Sequence, residues 1–106
     1  MNTPTSVQAI ELTGTEERLV HVLQLLGDKT RFKIFKLLMA NEELCVTEIA
    51  AQLNITASAV SQHFRSFELI GLVNKERTGQ KICYTLKQDD LLIRELSGIA
   101  SKSKGK

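Results

Sequence analysis

A chain of 106 residues holds one domain with a modest core and lacks the material for a second. Apolar residues at 42% and charged residues at 25% match a globular protein and exclude disorder of the whole chain, while aromatics at 5% leave the core to Leu, Ile and Val. A formal net charge of +2 excludes nothing by itself, so the information lies in where the charges sit.

Residues 1–14 are polar and Thr-rich, contain the only proline, Pro4, and read as a flexible N-terminal arm. They lack the basic-then-apolar order of a secretory signal, and a cytoplasmic protein is expected. One domain is expected over 15–100, followed by a basic tail over 101–106 that carries Lys102, Lys104 and Lys106. Thr13 and Glu16 have capping-box spacing, with Thr15 as the alternative cap. Leu19, Val22, Leu23 and Leu26 then recur at helical spacing, which predicts a first helix over 16–26.

Asp28 caps a second helix, in which Phe32, Ile34, Phe35, Leu37, Leu38 and Met39 are interleaved with Lys29, Arg31, Lys33 and Lys36. Its apolar run is far shorter than the ~20 residues that cross a bilayer, and no membrane partner is expected. Residues 40–43 form a turn and 44–46 a short extended piece. Thr47 is expected as the N-cap of a third helix, with Glu48 in its first turn and Ile49, Ala50 and Leu53 on one face up to Asn54. Thr56 caps a fourth helix over 57–70, with Val60, Phe64 and Phe67 inward and Gly71 as a left-handed C-cap. Residues 72–76 and 81–86 read as strands around a turn at Arg77-Thr78-Gly79-Gln80. Asp89 or Asp90 caps a fifth helix with Leu92, Ile93, Leu96 and Ile99 on one side.

This order describes a mainly α fold with a small β-hairpin, a winged helix-turn-helix of about five helices and a two- or three-stranded wing sheet. Such a fold lays the helix after the tight turn in the DNA major groove, with its N-terminal residues at the base edges. Here the polar edge of helix 57–70 offers Thr56, Ala57, Ser58, Ala59, Ser61, Gln62 and Arg65, and no acidic residue falls between Thr56 and Ser66 to repel phosphate. Ser and Thr suit bases or phosphates, Gln62 suits adenine, and Arg65 suits phosphate or guanine. The wing, 75–82, carries Lys75, Arg77, Gln80 and Lys81 around Gly79, as a contact to the adjacent backbone or minor groove requires. A solvated helix face and a hairpin edge protected by charge are the plain alternatives. The two features in succession favour double-stranded operator DNA. Helices one and five carry apolar faces at the two ends of a small domain, and a homodimer would bury both, setting the reading helices about 34 Å apart.

These residues resemble the ArsR/SmtB repressors. The likeness runs over about residues 20–96 and rests on Leu26-Gly27-Asp28-Lys29-Thr30-Arg31-Phe32-Lys33-Ile34, on Glu43-Leu44-Cys45-Val46-Thr47-Glu48-Ile49-Ala50, and on Ile55-Thr56-Ala57-Ser58-Ala59-Val60-Ser61-Gln62-His63-Phe64. Gly71-Leu72-Val73 and the stretch from Gly79 to Leu86 complete it. The resemblance implies a dimer built from the first and last helices, and operator release by an inducer. Metal-sensing members place two cysteines around the Val of the third-helix motif; here the first is Cys45 and the second position is Thr47, too few ligands for a soft metal. A second site of the family uses Asp and His along the last helix, which here offers Asp89, Asp90 and Glu95 but no histidine. His21 and His63 lack a ligand partner at the next helical turn, so no metal and no cofactor is expected, and the inducer stays open.

Two cysteines do not make a disulfide framework, and in a reducing compartment free thiols are the default. In a winged helix the strand before the third helix lies beside the second wing strand, which brings Cys45 towards Cys83. Two readings follow: a redox pair whose oxidation distorts the wing, or two small half-buried residues that simply fit. An enzyme is not expected, because the chain has no phosphate loop, no nucleophile with an arranged base and no metal cluster. The competing class is a winged helix that binds protein rather than DNA, for which acidic or large apolar residues would be exposed on helix 57–70.

Overall fold

A computed structural model describes residues 8–102. Residues 1–7 of the expected arm and 103–106 of the expected tail, with Lys104 and Lys106, lie outside the described residues. The elements are α1 (Gly14–Leu26), α2 (Lys29–Ala40), β1 (Leu44–Cys45), α3 (Val46–Leu53), α4 (Ala57–Ile70), β2 (Val73–Thr78), β3 (Lys81–Leu86) and α5 (Leu91–Lys102). The strands form one antiparallel sheet in the order β1-β3-β2, so the arrangement is the winged helical one expected from the sequence.

Side chains at the helix ends fix most boundaries. The Thr13 hydroxyl accepts from the Glu16 N–H at 3.1 Å and the Glu16 carboxylate accepts from the Thr13 N–H at 2.9 Å, a capping box that starts α1 at Gly14, two residues before the predicted start. Asp28 accepts from the Arg31 N–H at 3.0 Å and Thr56 from the Ala59 N–H at 3.0 Å. Asp90, not Asp89, caps α5, accepting from Leu92 N–H at 2.9 Å. That helix runs to Lys102, so Ser101 and Lys102 are helical rather than tail. The third helix also departs from expectation. It begins at Val46 with Cys45 as N-cap, because Glu48 reaches back to accept from the Cys45 N–H at 2.8 Å; Thr47 lies within the helix and caps nothing.

Left-handed residues make the two sharp reversals around α4. Asn54 (φ 56°) ends α3 and permits the tight turn into Thr56, and Gly71 (φ 75°) ends α4 so that Leu72 drops into the core. The hairpin closes on Gly79 and Gln80 between the paired Thr78 and Lys81. Only Gly79 of these two has positive φ (61°), as a type II′ turn requires. The strands therefore extend further into the predicted turn than expected, taking in Arg77 and Thr78.

The core is one cluster into which every helix contributes. Val22 and Leu25 of α1, Ile34, Phe35 and Leu38 of α2, Ile49 of α3, and Ile93 of α5 surround the inner face of α4. That face, Val60, Phe64 and Phe67, is wholly excluded from solvent. Phe64 stacks on Tyr84 of β3 with ring centroids 3.8 Å apart and planes within 3°, and meets Phe67 at 5.4 Å. One side chain thereby joins α4 to the wing sheet. Truncating Phe64 to Ala removes both contacts and opens a cavity, and is expected to cost about 3–5 kcal/mol in urea denaturation. A loss below 1 kcal/mol would show that the sheet and helix hold together without the stack.

Candidate nucleic-acid interface

With its inner face committed to the core, α4 turns a polar edge outward. Thr56, Ala57, Ser58, Gln62 and Arg65 are exposed, and Ala59 and Ser61 are half-buried. On the wing, Arg77, Gln80 and Lys81 are all exposed. The fold brings part of the two sets together. Ala57 and Ser61 of α4 face Gln80 and Lys81 across an open cleft of about 220 Å³, whose floor includes Cys45 and Thr47. Thr56, Ser58, Ala59, Gln62, Arg65 and Arg77 lie outside this cleft, along the outer edges of the same two elements. Thr47 escaped the sequence reading because it was given to a cap. Freed from that role, it is exposed beside the start of α4, a neighbourhood that only the fold creates.

Two cations brace the fold through ion pairs among the described residues, Arg18 and Lys75. Lys75 pairs with Glu68 of α4 at 3.8 Å, so it tethers the wing and neutralises the one acid near the helix end. Among the described residues Arg65, Arg77 and Lys81 form no ion pair. His63 is half-buried on α4 and its charge, with that of Arg31, reinforces the Arg31 backbone N–H that holds the Asp28 carboxyl below the usual range. Burial, with the nearby Glu68 charge, raises the Tyr84 phenol and keeps the stacked ring neutral. One large apolar residue does face out from α4: Leu69, 88% exposed, sits at its C-terminal end, remote from the wing cleft. A single such residue is ordinary on a protein surface.

Arg18 of α1 fixes the far end of α4. Its guanidinium donates to the Ile70 carbonyl at 3.3 Å and to Asp90 of α5 at 2.7 and 3.3 Å. The first and last helices and the end of the reading helix therefore share one polar joint.

Cys45 and Cys83 stand directly opposite each other on β1 and β3 and are joined by a disulfide. The structure holds the oxidised pair rather than the free thiols expected by default, the antiparallel register setting the two residues side by side. The sheet keeps its regular antiparallel pairing on both sides of the bond. The thiolate metal site that the family resemblance suggests does not fit this chain: the Cys45 sulfur is bonded to Cys83, Thr47 supplies no thiolate, and among the described residues no three His, Cys, Asp or Glu side chains group as a metal site.

Five helices, a tight turn before an exposed polar helix, and a basic hairpin at its side define a winged helix-turn-helix, a DNA-binding fold. Residues 28–75 match the bacterial regulatory protein, arsR family. A Halobacterium salinarum protein named ArsR is 38% identical over 70% of this chain and 60% of its own length, so the chain spans less than two thirds of that relative. The transcriptional activator HlyU of Vibrio cholerae is 31% identical over 76% of this chain and 74% of its own. A solved structure of HlyU from the same organism superposes with a TM-score of 0.78 at 26% identity, covering 88% of this chain and 98% of that one. The chain belongs to the ArsR family of transcriptional regulators.

The polar joint yields a pH-dependent expectation. The hydrogen bond and charge of Arg18 lower the Asp90 pKa, so its contribution to stability is present above the unfolded carboxylate value near 4 and is lost as pH falls through the lower folded value. Asp90→Asn is expected to cost about 1 kcal/mol at neutral pH, the pair being partly solvated. The gap from the parent should close in acid denaturation below about pH 4. A gap independent of pH would assign the loss to the helix cap instead.

Proposed function

We propose that the chain represses transcription by binding operator DNA as a homodimer, with α4 in the major groove and the wing on the adjacent backbone or minor groove. The observation that carries this reading is the acid-free polar edge of α4 lying across one cleft from Gln80 and Lys81. Ser58, Ser61 and Gln62 are short or planar hydrogen-bonding groups near the helix start, the end that reaches base edges. Thr56, with the exposed Ala57 and the half-buried Ala59 beside it, keeps that end slim enough to enter the groove. Arg65, Arg77 and Lys81, free of ion pairs among the described residues, are available to phosphate. The Halobacterium relative carries the name of an arsenical resistance operon repressor and the Vibrio relative that of an activator; occlusion of a promoter by a dimer needs no further surface and gives repression.

The same reading makes this a cytoplasmic, non-enzymatic regulator. Its support is that family members are transcriptional regulators and that, among the described residues, no helix is long and apolar enough to cross a membrane. The dimer rests on the outer faces of α1 and α5. Val20 and Leu23 of α1 and Leu91 of α5 are 40%, 52% and 68% exposed, and Ile10 and Leu12 lead into the same helix. The Arg18–Asp90 pair joins these two helices at one end, which supports a two-fold interface that draws on both.

Gln62→Ala is expected to weaken binding to a selected operator by about 1–3 kcal/mol and to relax one base position, leaving random DNA nearly unaffected. Lys81→Ala is expected to weaken both and to flatten the slope of log affinity against log salt. Equal losses from Gln62→Ala on operator and random duplex would remove it from base reading. Leu23→Glu places a charge on a surface already exposed, so the monomer should stay folded while sedimentation shows loss of the dimer and operator affinity drops with it. A dimer that survives this change would place the two-fold elsewhere.

A further inference from the structure

The disulfide lies at the seam between the two parts of the proposed DNA surface. Cys45 caps α3 at the start of the helix-turn-helix, and Cys83 belongs to the second wing strand. Their separation of 38 residues encloses α3, α4, β2 and the start of β3, so every candidate contact from Thr56 to Lys81 lies inside the loop that the bond closes. Val73, Tyr84 and Leu86 anchor the base of the wing in the core; beyond that base the wing is tied by the partly exposed Lys75–Glu68 pair and by the backbone pairing of β1, which is only two residues long. Cys45 also lines the cleft between α4 and the wing, which gives solvent a route to its sulfur although both cysteines are less than 10% exposed.

We propose that Cys45 and Cys83 form a reversible thiol–disulfide switch that sets how firmly the wing is held against α4, and through this the affinity for DNA. This rests on the DNA-binding reading above. In the disulfide state the two contact edges are held at one separation, and binding orders little. In the dithiol state the part of the wing beyond this buried base gains freedom at its short β1 seam, and that freedom is lost on binding, which weakens the complex.

The oxidant class is a hydroperoxide. The Cys45 thiolate attacks its terminal oxygen, the O–O bond breaks, and the alcohol leaves with a proton, giving Cys45 sulfenic acid. The Cys83 sulfur then attacks the Cys45 sulfur. The S–S bond forms, the S–O bond breaks, and hydroxide leaves as water with the Cys83 proton. Two thiols lose two electrons and two protons, and one hydroperoxide becomes one alcohol and one water. A small dithiol reductant returns the two electrons and two protons and opens the bond.

The test compares the full chain treated with cumene hydroperoxide and with dithiothreitol, each then desalted. Thiols are titrated after denaturation, and affinity is measured at one salt concentration on a duplex enriched from a randomised pool. The expected results are no titratable thiol after oxidation with no covalent dimer, and binding about fivefold tighter than in the dithiol state. Cys45→Ser and Cys83→Ser should each bind like the dithiol form after either treatment. Two thiols persisting after hydroperoxide, equal affinity in the two states, or tighter binding by the dithiol would each overturn the proposal. If the disulfide forms but no duplex is bound in either state, the DNA reading itself falls, and this inference with it.

Discussion

The structure depends on the burial of one face of α4. Val60, Phe64 and Phe67 are closed off from water, and helices α1, α2, α3 and α5 are arranged around them. Each of these side chains contributes roughly 1.5–3 kcal/mol through burial alone, and the Phe64–Tyr84 stack extends the same packing into the sheet. Because a helix has two sides, a fixed inner face determines the outer one. Ser58, Gln62 and Arg65 point outward because Val60, Phe64 and Phe67 point inward.

Around that constraint the polar groups do two kinds of work. Some brace: Arg18 ties α1 and α5 to the last carbonyl of α4, Lys75 ties the wing to Glu68, and Asp28, Thr56 and Asp90 close helix ends. Among the cations without an ion pair in the described residues, Arg65, Arg77 and Lys81 fall on the edge and hairpin that a duplex would meet. A net charge of +2 is then no weak signal. The first three turns of α4 carry no acid, and the wing carries one, Glu76, between Lys75 and Arg77.

The joint at Arg18 links the two levels of organisation. The helices that present the proposed dimer surface, α1 and α5, meet the end of the proposed reading helix through one guanidinium. At the opposite end of the same helix the disulfide links its neighbour α3 to the wing. α4 is thus held at its C-terminal end by a polar contact that it shares with α1 and α5, and near its N-terminal end, through α3, by a covalent bond to the wing.

Periodicity and caps made most of the fold legible. The order of elements, the polar edge of α4, the left-handed Gly71 and the glycine turn of the wing follow from local preferences that a residue carries wherever it stands. The misjudged details share one cause, which is competition between local signals. Thr47 has the better side chain for a cap, yet Cys45 is the N-cap and α3 starts at Val46, because the strand pairing of Leu44 and Cys45 with Tyr84 and Cys83 leads directly into the helix. Apolar spacing placed Leu23, Leu69 and Ile99 on helices without saying which of them face out, since burial depends on what lies opposite. The sequence by itself determined the elements, their order and the chemistry along each face. Only the tertiary structure decided that Ala57 and Ser61 share a cleft with Gln80 and Lys81, that Arg18 reaches Ile70 and Asp90, and that two cysteines 38 positions apart become bonded neighbours. Those pairings join residues distant along the chain, and their distances are set by the packing of the whole core rather than by any segment's own preference.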